Sequence, residues 1–239
     1  MKHIDKTKLH APASYVAEVN AAHLDEANIT GGSHATLRGR ELFEKVKALP
    51  SYNLMKEQLL KDQGYVCCYC NRSVPMPGHI VVTEHVKPVS LHRELAGEYK
   101  NLLVTCDGGE LIPPTPLGEA PYTRITYPLH CDKSKENQEI PVSPLSDDCE
   151  WRFNYNPITG MISGDADVMR TVGVLKLNHR ALKKERQKEV QRWCYDSSGN
   201  LLNNNQLSVV FSHMLTPDAN GRYRNLYYVI ASAALSLVV

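Results

Sequence analysis

Charge of either sign is not in excess along this chain. The 27 lysines and arginines stand against 26 aspartates and glutamates, for a formal net charge of +1. That balance excludes a globally basic nucleic-acid binder, so any such role must rest on a local patch. A long hydrophobic run is also missing. The longest uncharged apolar stretch, residues 225–239, has 15 residues, against about 20 for a membrane span. It is expected to form a buried terminal helix or strand, or a partner-facing surface, and no membrane association is expected. No apolar run follows Met1, so no signal peptide is expected either. There is no internal repeat. The seven cysteines are odd in number and three of them crowd at positions 67 to 70, which fits metal ligation in a reducing, cytoplasmic setting better than a secreted disulfide framework. A βαβ pattern that would make Cys67-x-x-Cys70 a redox pair is absent as well.

What the chain does have is a dense run of chemistry between Cys67 and Lys135, and this run divides it in three. Residues 1–63 read as an N-terminal arm and a helical hairpin. Its lysines, Lys2, Lys6 and Lys8, are expected to be solvated. Leu42, Val46 and Leu49 share one helical face. After Pro50, Ser51 is expected to cap a second helix bearing Leu54, Met55, Leu59 and Leu60, which Gly64 ends. Residues 64–140 hold the chemistry, with an inserted proline-rich loop over 107–129. The β-branched run from His79 to His85 reads as a strand, preceded by a turn at Pro75 to Gly78. Residues 141–239 form a C-terminal α+β region. There Trp151 to Tyr155 alternates as a strand and returns through a turn at Asn156 to Gly160. A helix over 165–177 follows, then a strongly basic helix over 180–193, and finally the apolar tail. The basic helix carries Arg180, Lys183, Lys184, Arg186, Lys188 and Arg192 against Glu185 and Glu189, and serves either as a nucleic-acid patch or as a solvated face.

Two kinds of donor lie in the central run. Cys67 and Cys70 place two sulfurs on one tight turn, and Cys106 and Cys131 supply a second pair, so the four thiols are expected to hold a structural Zn2+. Cys68 has the wrong spacing and is expected to face the core. Glu84 and Asp132 are hard oxygen donors suited to Mg2+ or Mn2+. His85 has an ordinary pKa near neutrality and suits a general base. Asn101 can fix a loop or orient the imidazole. Asp132 is expected to begin a helix with Lys135 one turn on, and Lys133 and Lys135 are candidates for the substrate phosphates. His130 can replace Asp132 as a metal ligand or assist the leaving group. Adjacent on a strand, Glu84 and His85 point to opposite faces unless a bulge or the strand end brings them together.

At these residues the chain resembles the HNH endonucleases. The matching phrases are Cys67/Cys70, Glu84-His85-Val86-Lys87-Pro88, Asn101-Leu102 leading to Cys106, and Cys131-Asp132-Lys133-Ser134-Lys135. Two departures stand out: 24 residues separate Cys106 from Cys131 where the common pattern has two, and Asp132 stands where His or Asn is usual. The resemblance implies an α+β fold with a ββα-metal core inside paired-cysteine zinc knuckles, wrapped by N-terminal helices and a C-terminal region of hairpin and helices. It implies metal-dependent phosphodiester hydrolysis, of DNA foremost, with structured RNA such as tRNA as the alternative substrate. The opening Met1 to Lys6, Ser143-Pro144-Leu145 and Leu175 to His179 look like one subgroup, the PtuB-type proteins of Septu antiphage systems and of retrons. That likeness implies a PtuA-type ABC/OLD-like ATPase partner, and in retrons a reverse transcriptase with its RNA–DNA product. A zinc-stabilised nucleic-acid-binding or adaptor subunit without catalysis is the competing reading.

Overall fold

The structure, a computed structural model, describes residues 1–74, 81–108 and 129–238. The turn expected at Pro75 to Gly78, the first two residues of the expected strand, and nearly all of the inserted loop lie outside the described residues. Helices α1 (Ala13–Ala21), α2 (Glu26–Gly31), α3 (Gly39–Lys47) and α4 (Tyr52–Asp62) come first. Strands β1 (Val82–His85) and β2 (Leu102–Thr105) follow, then α5 (Asp132–Lys135) and α6 (Cys149–Arg152). The hairpin β3 (Asn154–Tyr155) and β4 (Ile162–Ser163) precedes α7 (Ala166–Val174), α8 (Arg180–Cys194), α9 (Asn204–Met214) and α10 (Tyr227–Leu237). The fold is α+β, as expected.

The α3–α4 hairpin forms because Leu42, Val46, Met55, Leu59 and Leu60 can all leave water together, and all five are buried. Ser51 does not cap α4. Its amide and hydroxyl both donate to Glu18 Oε2 of α1, at 2.9 and 2.7 Å, so the serine joins two helices. Gly64 closes α4 with φ +61°, and a Cβ there would fall 2.3 Å from the Tyr223 ring. Lys6, expected in solvent, is buried, 3.9 Å from the centre of the Tyr99 ring and 3.8 Å from Asp62.

Strands β1 and β2 pair antiparallel, with Glu84 opposite Leu103 and His85 opposite Leu102. Every residue of β2 is buried. The Asn156–Gly160 turn is present, with Asn156 Oδ1 accepting from the amides of Ile158 and Thr159. The expected strand at Trp151 is not, because residues 149–152 make a helical turn that leaves Trp151 78% exposed, and only Asn154–Tyr155 pair with β4. The apolar tail is α10, which packs on α8 and α9 and buries Tyr227, Val229, Ile230, Ala231, Ala233 and Ala234. Buried side chains from all three segments of the chain join one core. Among the described residues no helix is long and apolar enough to cross a membrane.

Candidate functional site

The thiols come from three places in the chain and meet. Residues 66–73 close on themselves: the Val66–Ser73 bridge frames the turn, Cys67 N donates to Arg72 O at 2.8 Å, and Asn71 N donates to Cys67 O at 3.1 Å. That turn points Cys67 and Cys70 one way. Cys106 follows the last residue of β2, and Cys131 precedes α5 with φ +55°. The four sulfurs lie within 4.8 Å of one another and all four residues are buried. Cys67 Sγ is 3.9 Å from Cys131 Sγ, and Cys70 Sγ is 3.8 Å from Cys106 Sγ. These separations are far too long for disulfides, and all seven cysteines are free. Separations of this size suit the edges of a sulfur tetrahedron around an ion held at about 2.3 Å, the bond length of zinc thiolate. The donor set therefore fits a closed, structural Zn2+ site. Cys68 is buried outside it.

The gap of 24 residues between Cys106 and Cys131 is no obstacle. His130 N donates to Gly108 O at 3.0 Å, so the chain leaves and re-enters at one point. His130 itself stands on the thiol side, buried, with Nε2 3.8 Å from Cys106 Sγ and 3.4 Å from Arg72 Nη1.

Glu84 is 3% exposed, and one oxygen of its carboxyl has two partners. Tyr69 Oη donates to Glu84 Oε1 at 2.7 Å, and Lys135 Nζ reaches the same oxygen at 2.8 Å. The Asp132 carboxyl, at the start of α5, is near enough to act on Glu84. Burial first, and then Asp132, push the Glu84 pKa up to about 8, against the pull of Lys135. Lys135, expected at the substrate, is 1% exposed, and it also donates to His85 O at 3.0 Å. Its ammonium is committed inside the protein, so it braces β1 and does not meet a phosphate. Lys133, by contrast, is half-buried on α5.

His85, next along β1, has partners of its own. Its ring meets the edge of Phe43, with centroids 4.4 Å apart, and Nε2 is 3.0 Å from Ala96 O. A carbonyl only accepts, so Nε2 carries the proton and Nδ1 keeps a lone pair. Burial lowers the His85 pKa to about 4, and the field of Lys135 adds to this. The ring is therefore neutral at neutral pH. Asn101, at the end of a single 3-10 turn (Tyr99–Asn101), clamps the segment after His85: its Oδ1 accepts from Lys87 N at 2.8 Å and its Nδ2 donates to Lys87 O at 3.0 Å. It fixes the loop and makes no contact with the imidazole.

Tyr69, Phe43 and the Ala96 carbonyl are the partners that sequence reasoning missed. Tyr69 could have been suspected, since it sits between two ligand cysteines on a tight turn. Nothing in the local sequence marks the other two. The chain matches no family model and no curated protein.

Proposed function

We propose that this protein is a metal-dependent endonuclease of HNH type. The observation that carries the reading is the meeting of Glu84 from β1 with Asp132 from α5, one residue from a histidine whose tautomer is fixed. The chain order β1, β2, α5 supports taking these elements as a ββα-metal unit, and the thiol tetrahedron supports a zinc-braced frame around it.

The residues divide the work as follows. Neutral His85 takes a proton from water at Nδ1, while Ala96 O holds the ring in place. Asn101 keeps the following segment from shifting. Glu84 and Asp132 are the donors for Mg2+ or Mn2+, which would, when bound, neutralise charge developing on a phosphodiester. Tyr69 and Lys135 aim Glu84, and Lys133 is the remaining candidate for a phosphate contact. The phrases shared with Septu and retron proteins support a role as the effector of an antiphage system under an ATPase of PtuA type.

The deciding experiment offers plasmid DNA and total tRNA to the purified protein with Mg2+ or Mn2+, with and without the ATPase, alongside His85→Ala. Cleavage that disappears in the variant is expected and names the substrate class. Wild-type cleavage by His85→Ala would overturn the assignment. One observation favours the competing adaptor reading: the Lys135 ammonium satisfies Glu84 without any cation. Absence of cleavage under every condition, by protein that holds one zinc per chain, would decide for that reading.

A further inference from the structure

Helix α8 has four rows of side chains, and they differ sharply. Leu182, Arg186, Val190 and Cys194, each four residues from the next, are buried. Two residues on, and so nearly opposite around the helix, Arg180, Lys184, Lys188 and Arg192 are all exposed. Sequence reading counts Arg186 with the basic face. The structure removes it, because Arg186 is buried and donates to Gly160 O at 2.6 Å and Leu177 O at 2.8 Å. What remains is a straight outer row of four cations with no acid in it.

Among the described residues, Arg180, Lys184 and Lys188 make no ion pair, and Arg192 meets only the Trp193 ring, at 5.9 Å. Of the two acids on the flank, Glu185 is engaged by Arg72 at 2.9 Å, and Glu189 stands beside Lys188. The opposite flank carries Lys183, Gln187 and Gln191, and Gln187 Nε2 is tied to Ile158 O at 2.7 Å. Beyond that flank an open groove of about 590 Å³ runs between the helix and the hairpin turn, with Lys188 and Arg192 on its lip and Ile158 and Tyr195 in its wall.

We infer that this row is a docking surface for the phosphate backbone of a nucleic-acid duplex. The inference deepens the nuclease reading, and it rests on that reading for the identity of the partner. The helix rises about 1.5 Å per residue, so the row is about 18 Å long, and a duplex presents roughly ten phosphate charges over that distance. Unpaired, regularly spaced cations release counterions from such a partner without reading its bases. A lipid surface fits less well. A helix that lies on a membrane inserts an apolar face beside its basic one, and the apolar row of α8 is already buried in the protein. The surface also supplies locally what the net charge of +1 denies globally.

The test measures binding of a labelled duplex of random sequence to the full zinc-loaded chain across a series of salt concentrations, with no divalent cation added. The variants are R180Q/K184Q/K188Q/R192Q, the same number of exposed cations removed elsewhere in R38Q/R40Q/K45Q/K61Q, and H85A. The outer-row variant is expected to lose about 3–4 from the slope of log affinity against log salt, while the other two bind as wild type. R180Q/K188Q alone should lose about half as much, and carries the test if the fourfold variant fails to retain zinc. Wild-type affinity and slope in the outer-row variants would overturn the surface, whatever happens to cleavage. Binding to phosphatidylserine vesicles but not to duplex would overturn it too, in favour of a lipid partner. Absence of cleavage by the wild-type chain under every condition, with this pattern of binding intact, would sink the nuclease and leave the surface standing.

Discussion

Tyr69 sits between two cysteines of the thiol cluster in sequence and on a proposed magnesium ligand in space, so the two candidate sites share one side chain. Tyr69→Phe removes a buried hydrogen bond to Glu84, and an expected cost of about 1–2 kcal/mol is measurable by urea unfolding. Zinc content should stay at the wild-type level, while cleavage falls about tenfold because Glu84 is less well aimed. His85 makes a pH prediction. Above pH 6.5 its ring is neutral in both folded and unfolded chains and contributes no slope. Between 6.5 and about 4 the unfolded chain takes up a proton that the folded chain refuses, so stability falls as pH falls, by up to about 1.4 kcal/mol per unit. Comparing unfolding of wild type and His85→Gln at pH 7 and pH 5 isolates this slope, which the variant should lack. At this scale the cysteine cluster was readable because paired soft donors suit one kind of ion. The burial of Lys135 and the thiol-side place of His130 were not, because spacing along a chain does not say which way a side chain turns.

The hairpin β3–β4 is held to α8 by Arg186, whose guanidinium reaches Gly160 O, Leu177 O and, at 3.4 Å, Asn178 Oδ1. Arg186→Met should strand those buried carbonyls and cost about 2–4 kcal/mol, seen as a lower urea midpoint with little change in zinc content. A drop of under 0.5 kcal/mol, the range of ordinary surface substitutions, would mean the guanidinium is not what joins the two elements. Elements with strong local signals were readable from sequence: the helical spacing of α3 and α8, and the asparagine-to-glycine turn between β3 and β4. Elements decided by tertiary contacts were not. Ser51 has the side chain of a cap, yet the Glu18 carboxylate competes for it and wins. Residues 151–155 alternate like a strand, yet only Asn154 and Tyr155 find a partner.

Taken whole, the molecule is closed by one cluster of thiols and one helix. The zinc would tie residues 67–70 to Cys106 and Cys131, and because such sites do not exist in an unfolded chain, the binding energy of the metal is folding energy. Chelation is therefore expected to abolish cooperative unfolding, and Cys131→Ser to lower zinc occupancy well below one per chain by elemental analysis. Deleting residues 227–238 removes the buried face of α10 and should give insoluble protein. A soluble truncation with wild-type zinc content would show that α8 and α9 are stable without it. The α+β class and the thiol site followed from composition and motif. The way the C-terminal helices close over the knuckle did not, since no pattern within either segment encodes the other.

The hydrogen bond from His130 to Gly108 has a consequence for how this protein can be altered. The ends of the intervening segment are neighbours, and the same ion would hold the thiols on both sides of it. A cut anywhere in 109–128 would then yield two polypeptides that stay clasped, and the entropic cost of closing a loop rises only slowly with its length. The interval is in effect a port. Evolution, or an engineer, can exchange its contents for a longer passenger without re-tuning the metal beneath.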